Sequence, residues 1–228
     1  MRVKKQMVGG YAHPTRCVPL QILERLARTT PNSKNISMPN YRRAIRPGGT
    51  FFLTLVTERR AAIFANENAR AILRGALNRC REFHPFELDA IVLLHDHLHL
   101  LITLPHGDAD FSRRITFIKS SFTRTFLGGG GREQARSQSR VRERTRGIWQ
   151  RRFWEHAIRD ETDRIRHLDY LHYNPVKHGY VACPHAWPHS SFNHFVNEGH
   201  YAREWCCGCG GREIGAMSFA DIAKLAGE

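Results

Sequence analysis

The 228-residue chain contains no run of eighteen apolar residues, so no segment is read as a membrane span. Met1-Arg2-Val3-Lys4-Lys5 is basic, but no long apolar stretch follows it, and it is not read as a secretory signal. Acidic side chains are scarce: 21 Asp and Glu stand against 35 Lys and Arg, a formal net charge of +14. No Gly-rich phosphate-cradling motif is present, so nothing points to ATP as a co-substrate. The six cysteines (Cys17, Cys80, Cys183, Cys206, Cys207, Cys209) make no paired framework and no Cys-x-x-Cys. They are expected to be reduced thiols of a cytoplasmic protein. The cluster Cys206-Cys207-Gly208-Cys209 is too cramped for ordinary tetrahedral zinc ligation.

A charge excess of this size calls for a polyanionic partner, and with no membrane signal the partner is nucleic acid. Residues 1–37 carry a net +6, which leaves +8 for the rest. That first segment reads poorly as a folded element and is expected to be a disordered arm or a mis-assigned start. The working domain is placed at residues 38–205 and a tail at 206–228. With 41% hydrophobic residues, one packed core is within reach.

Hydrophobic periodicity gives a strand at Thr50–Thr57 and a helix over about Asn66–Phe83. Strands at Phe86–Leu94 and His97–Leu104 follow, then a helix over about Phe111–Leu127. Residues 132–146 are polar and Arg-rich and are expected to be a mobile basic loop. A fourth strand falls within Ile148–Ile158 and a third helix at Thr162–Tyr173. The order β-α-β-β-α-β-α predicts an α+β fold: a ferredoxin-like (split βαβ) antiparallel sheet with helices on one face.

The most informative stretch is Leu94-His95-Asp96-His97-Leu98-His99-Leu100-Leu101. Residues two apart on a strand share a face, so His95, His97 and His99 would line one side and Leu98 and Leu100 the core side. Imidazoles held this way are placed to grip a metal ion, although histidines on a solvated strand face often do nothing. Later, Asp169-Tyr170-Leu171-His172-Tyr173-Asn174-Pro175-Val176-Lys177-His178-Gly179 puts Tyr170 and Asn174 one helical turn apart. Pro175 disfavours helical geometry at Asn174, so the helix is expected to stop there with Asn174 at a mouth. The plain alternative is an amphipathic tyrosine helix with an Asn-Pro stop.

Together these segments resemble the His-hydrophobic-His strand and the tyrosine helix of the REP-associated tyrosine transposases, a family of HUH single-strand nucleases. Further matches are Tyr41-Arg42-Arg43, Ile118-Lys119-Ser120, Gly147-Ile148-Trp149-Gln150-Arg151-Arg152-Phe153-Trp154-Glu155-His156 and Trp187-Pro188-His189-Ser190-Ser191-Phe192, so the resemblance spans about Met38 to Trp205. It implies an HUH-type fold, and a prokaryotic, nucleoid-associated enzyme that cuts and rejoins single-stranded or hairpin DNA. It also implies His97, His99 and Asn174 as ligands of a divalent ion and Tyr170 as the nucleophile. Magnesium and manganese suit phosphate oxygens, and nitrogen ligands tilt the choice to manganese. Tyr173 is the competing nucleophile. Proline is expected where this chain has His95, which is taken to point to solvent.

Phosphate contacts are expected from Arg42, Arg43, Arg46, Lys119, Arg151 and Arg152. Base stacking is expected from Trp149, with Phe153 and Trp154 as further candidates, although core packing would equally explain these aromatics. Two other readings stay open: a catalytically silent nucleic-acid-binding module on this fold, and a metal-dependent hydrolase using His95, His97 and His99 with activated water. Monomer and homodimer are both compatible with the sequence.

Overall fold

The computed structural model describes residues 46–208 together with Phe219, Ile222 and Ala223. The proposed arm at 1–37, Arg42, Arg43 and Cys209 lie outside the described residues. The elements are β1 (Thr50–Val56), α1 (Glu67–Phe83), β2 (Glu87–Leu93), β3 (His97–Thr103), α2 (Phe111–Gly128), α3 (Gln138–Arg142), β4 (Trp154–Ala157), α4 (Glu161–Lys177) and α5 (Phe192–Asn197). The sheet order is β2-β3-β1-β4, with every neighbouring pair antiparallel. This is the split βαβ arrangement that the element order predicts.

Local chemistry sets the helix starts. The Asn66 side chain accepts the Ala69 N–H at 3.1 Å and opens α1, and Asp110 accepts the Arg113 N–H at 2.9 Å and opens α2. Both helices then bury a stripe at helical spacing: Ala69, Leu73, Ala76, Leu77 and Cys80 on α1, and Phe111, Ile115, Ile118 and Phe122 on α2. These pack onto one face of the sheet, against Phe51, Leu53 and Leu55 of β1 and Leu98, Leu100 and Ile102 of β3.

The alternate residues of the same strands are buried as well. Phe52 and Leu101 join Tyr170, Leu168 and Leu171 of α4, and Phe192 and Phe195 of α5, in a second core on the opposite face. α1 and α2, the two helices of the ferredoxin-like unit, thus share one face, and α4, which follows the unit, covers the other. His97 and His99 therefore sit on a buried face with 0% exposure.

α4 is longer than the sequence suggests. It starts at Asp160, whose side chain accepts the Asp163 N–H at 2.8 Å, and it runs through Asn174 and Pro175 to Lys177. A proline removes one donor and crowds the carbonyl four residues back, a cost carried here by the burial of Asn174 and Pro175 themselves. What ends the helix is Gly179, at φ +70°. The Tyr180 N–H reaches Pro175 O at 3.0 Å and the Gly179 N–H reaches Val176 O at 2.9 Å, a Schellman closure that only a residue at ease in left-handed geometry completes without strain.

Two further differences from the sequence reading concern the loop and the cysteines. The basic segment 132–146 contains α3, and its Arg140 is buried, donating to Arg146 O at 3.1 Å and Trp149 O at 3.2 Å and pairing with Glu58. Cys183 and Cys207, 24 residues apart, are joined in a disulfide, so they are not the free thiols expected. The chain brings them together because the segments 182–185 and 203–208 run side by side, tied by Gly208 N–H to Ala182 O at 2.8 Å. Cys80 is a buried free thiol. Among the described residues no helix is long and apolar enough to cross a membrane.

Candidate active site

The β1–β3 register places Val56 opposite His97 and Thr54 opposite His99. The two imidazoles project towards α4 with ring centroids 5.1 Å apart and planes at 82°. Each ring is held by its Nδ1. His97 Nδ1 donates to Asp96 Oδ1 at 2.6 Å, and His99 Nδ1 lies 2.9 Å from Thr54 Oγ1. Burial alone would raise the Asp96 carboxyl, but the hydrogen bond and charge of His97, reinforced by Arg60 at 3.0 Å, hold it down at about 2. Asp96 is thus a carboxylate, and by accepting from Nδ1 it fixes the orientation of the His97 ring. Outer partners that fix a histidine's tautomer through its second nitrogen are characteristic of metal-ligating imidazoles. The atoms His97 Nε2, His99 Nε2 and Asn174 Oδ1 are buried. Two imidazole nitrogens and a carboxamide oxygen are a donor set that suits a divalent ion of intermediate hardness.

α4 supplies the other half of the site. Tyr170 is fully buried, its ring 5.4 Å from that of His99, 6.0 Å from Phe52 and 5.5 Å from Phe219. Lys177, two turns on along the same helical face, donates from Nζ to the Tyr170 hydroxyl at 3.2 Å and sits 5.0 Å from the ring centroid. Asn174, one turn from Tyr170, lies inside the helix with 0% exposure, not at a mouth. Tyr173 is half-buried, and its ring is 6.0 Å from Phe219.

Sequence reasoning missed four neighbours: Thr54, Asp96, Lys177 and His178, whose ring is 5.1 Å from His97. The spacing of seven between Tyr170 and Lys177 could have flagged the lysine. Thr54 has no local signal, because only the strand register brings it to His99. His95 is not on β3 with the other two. It occupies the turn before the strand, against Tyr180 at 4.5 Å and Trp187 at 5.5 Å, so it packs on aromatics instead of pointing freely to solvent.

The expected DNA-contacting residues divide. Lys119, Trp149 and Arg151 come together with Arg124, Arg140 and Arg146 around a cavity of about 810 Å³. That cavity lies on the α2 side of the sheet, away from His97, His99 and Tyr170. Within it, Lys119 Nζ donates to Gln150 O at 2.6 Å and Arg151 pairs with Glu143 at 2.9 Å. Trp149 is 5% exposed and packs in the first core, 5.3 Å from Phe122. Arg46 donates to Ile158 O, and Arg152 is exposed. Phe153 packs at the rim of the first core, and Trp154 against the second.

A second group, His156, Asp163 and His167, also brings its ligand-type atoms within 4.8 Å of one another. The His156 and His167 rings are stacked at 4.4 Å with planes 14° apart. Near-parallel stacked imidazoles cannot both aim an in-plane lone pair at one ion between them. Asp163 Oδ2 accepts from His156 Nε2 at 2.7 Å and from Arg159 Nε at 3.1 Å, and His167 Nδ1 bonds Asp163 O at 2.8 Å, so the group is a satisfied structural network.

No family model matches the chain. A curated protein of Haemophilus influenzae, named for REP-associated tyrosine transposase function, is 44% identical over 168 residues, covering 74% of this chain and 93% of the relative. The chain belongs to the REP-associated tyrosine transposases. The Escherichia coli REP-associated tyrosine transposase is 39% identical over 169 residues, covering 74% of this chain and 91% of that protein. A solved structure of a REP-associated tyrosine transposase bound to a REP hairpin superposes with a TM-score of 0.62 at 37% identity, over 79% of this chain and 98% of the other. The family and the HUH-type α+β fold expected from the sequence both stand.

Proposed function

We propose that this transposase-family protein nicks and rejoins single-stranded DNA at hairpin or palindromic repeats through a 5′-phosphotyrosine on Tyr170, aided by a divalent ion. One observation carries the reading: the Tyr170 ring lies 5.4 Å from His99, and His99 and its strand neighbour His97 are 5.1 Å apart and each fixed through Nδ1. A tyrosine that merely filled the core would not need two buried, oriented imidazoles beside it.

His97 and His99, through Nε2, and Asn174, through Oδ1, would hold the ion. When bound, a magnesium or manganese ion supplies Lewis-acid polarisation and orientation of the scissile phosphate. The chain's own groups do the rest. The Lys177 ammonium donates to the Tyr170 oxygen and favours the phenolate over the phenol, whose ordinary pKa is about 10. The Tyr170 Oη–P bond forms, the P–O3′ bond breaks, and the departing 3′-oxygen takes a proton to become a hydroxyl. Phenolate is a better leaving group than a sugar alkoxide, so the same 3′-hydroxyl, or another, reseals the strand with no external energy source.

The hairpin named with the structural relative supports a folded single strand as the substrate, and the net charge of +14 supports phosphate binding. Its place of action is then the nucleoid of a prokaryotic cytoplasm. The test is a labelled hairpin oligonucleotide incubated with manganese and resolved on a denaturing gel. Wild type should give a covalent adduct that Tyr170→Phe abolishes and Tyr173→Phe retains. An adduct that survives Tyr170→Phe and vanishes in Tyr173→Phe transfers the role to Tyr173. Cleavage without an adduct would make the protein a hydrolase, and tight hairpin binding without cleavage a silent binding module.

A further inference from the structure

We propose that Cys183, His185 and Cys207 form a redox-gated zinc site, separate from the histidines of β3. The ligand atoms of all three lie within 4.8 Å of one another. The fold assembles them from two segments far apart in sequence. Cys183-Pro184-His185 enters a single 3-10 turn, and the 203–208 stretch runs beside it. Two contacts fix the approach: Gly208 N–H to Ala182 O at 2.8 Å, and His185 Nδ1–H to Arg203 O at 3.1 Å.

The second contact bears on metal chemistry. A histidine whose Nδ1–H is donated to a backbone carbonyl presents the Nε2 lone pair outward in a fixed direction, the usual support of a zinc-ligating imidazole. Two thiolates and one imidazole form a soft, nitrogen-containing set that selects zinc over the hard ions suited to phosphate chemistry. Cysteines 206, 207 and 209 alone are too closely spaced for such a site. The added pair Cys183-x-His185 changes that, setting a Cys-x-His arm against Cys207. Water completes the coordination of the three protein ligands.

In the structure the two sulfurs are joined to each other. Disulfides are rare in reducing compartments, and a cellular dithiol would open this one. Two electrons and two protons convert the disulfide to two thiols, the dithiol being oxidised in exchange. Zinc then displaces both thiol protons to solvent and is held by the two thiolates and His185. A small-molecule disulfide reverses the exchange: it takes two electrons from the two thiolates and leaves as a dithiol, the Cys183 and Cys207 sulfurs rejoin, and the ion is released. Either closure clasps the turn that follows α4 to the segment leading to the C-terminus.

The test uses the full-length protein. After phosphine reduction, removal of the reductant without oxygen and dialysis with zinc, stoichiometric zinc should remain bound. Cobalt(II) in its place should give the visible absorption of a tetrahedral thiolate complex, a reading that needs no variant. Cys183→Ser, Cys207→Ser and His185→Ala should each weaken binding at least tenfold, while Cys80→Ser leaves it unchanged. The doubly substituted His97→Ala/His99→Ala should also retain zinc. Protein kept in the disulfide form should bind none at this site. A reduced wild type that retains no zinc overturns the proposal, as does retention by a Cys183→Ser/Cys207→Ser variant. Loss of the zinc in His97→Ala/His99→Ala would also overturn it, because it would assign the ion to the β3 histidines.

Discussion

Replacing Thr54 by valine should uncouple the ion from the nucleophile site without dismantling the fold. The side chains are nearly isosteric, and Thr54 is fully buried, so the change deletes one hydroxyl and leaves the packing intact. What is lost is the 2.9 Å hydrogen bond to His99 Nδ1. A buried polar atom deprived of its partner costs about 1–3 kcal/mol. The His99 ring cannot swing away to recover the loss, because it is held by Phe52 at 5.3 Å on one side and by Tyr170 at 5.4 Å on the other. The penalty therefore falls on the ring's tautomer and orientation. Removing such an outer partner lowers metal affinity about 10–100-fold, or roughly 1.4–2.8 kcal/mol. The assay is the manganese concentration giving half-maximal covalent adduct, read beside the melting temperature. Thr54→Val should raise that concentration by one to two orders of magnitude, and Thr54→Ser, which keeps the hydroxyl, should restore it. An unchanged manganese midpoint in Thr54→Val, or a serine variant as impaired as the valine one, refutes the reasoning.

Lys177→Met removes the cation 3.2 Å from the Tyr170 oxygen. The pH at which adduct formation is half-maximal should then rise by about one unit, with Lys177→Arg close to wild type. A profile that stays in place in the methionine variant would make the lysine a mere surface contact. Burial holds His172 neutral, its pKa pushed down to about 3, among the rings of Phe192, Phe195 and Tyr201. The unfolded chain takes up a proton on this side chain below about pH 6.5 and the folded chain does not, so stability falls as pH drops from about 6.5 towards 3. His167 and His189 are also lowered by burial and add to the fall below about pH 6.5. Thermal melts between pH 7 and 5 should show a shallower decline in His172→Gln than in wild type, and equal slopes would exclude this source of acid sensitivity.

Much of this molecule is legible in one dimension. Alternating β-branched and aromatic residues place β1, β2 and β3, and the stripes of α1 and α2 mark which side they bury. The His97-Leu98-His99 pattern assigns both imidazoles to one face, because side chains two apart on a strand must share it. Tyr170 and Asn174 fall together for the equivalent reason in a helix. These inferences succeed because each rests on backbone geometry a few residues long. The end of α4 differs from the sequence expectation for the same reason: Asn174-Pro175 is a local stop signal, but burial of both residues and the Schellman closure at Gly179 outweigh it.

Other features depend on residues that never meet along the chain. Thr54 reaches His99 only through the β1–β3 register, and Tyr170 meets the imidazoles only because α4 returns across the face that α1 and α2 leave uncovered. Trp149 reads as a base-stacking platform until the fold seats it in a core, and Cys183 looks solitary until two loops align. The amino-acid sequence by itself determined the four strands, the helices α1 and α2 and the shared face of His97 and His99. The tertiary structure alone decided which buried groups lie within hydrogen-bonding or ligand distance, because such contacts arise only once distant segments are packed together out of water.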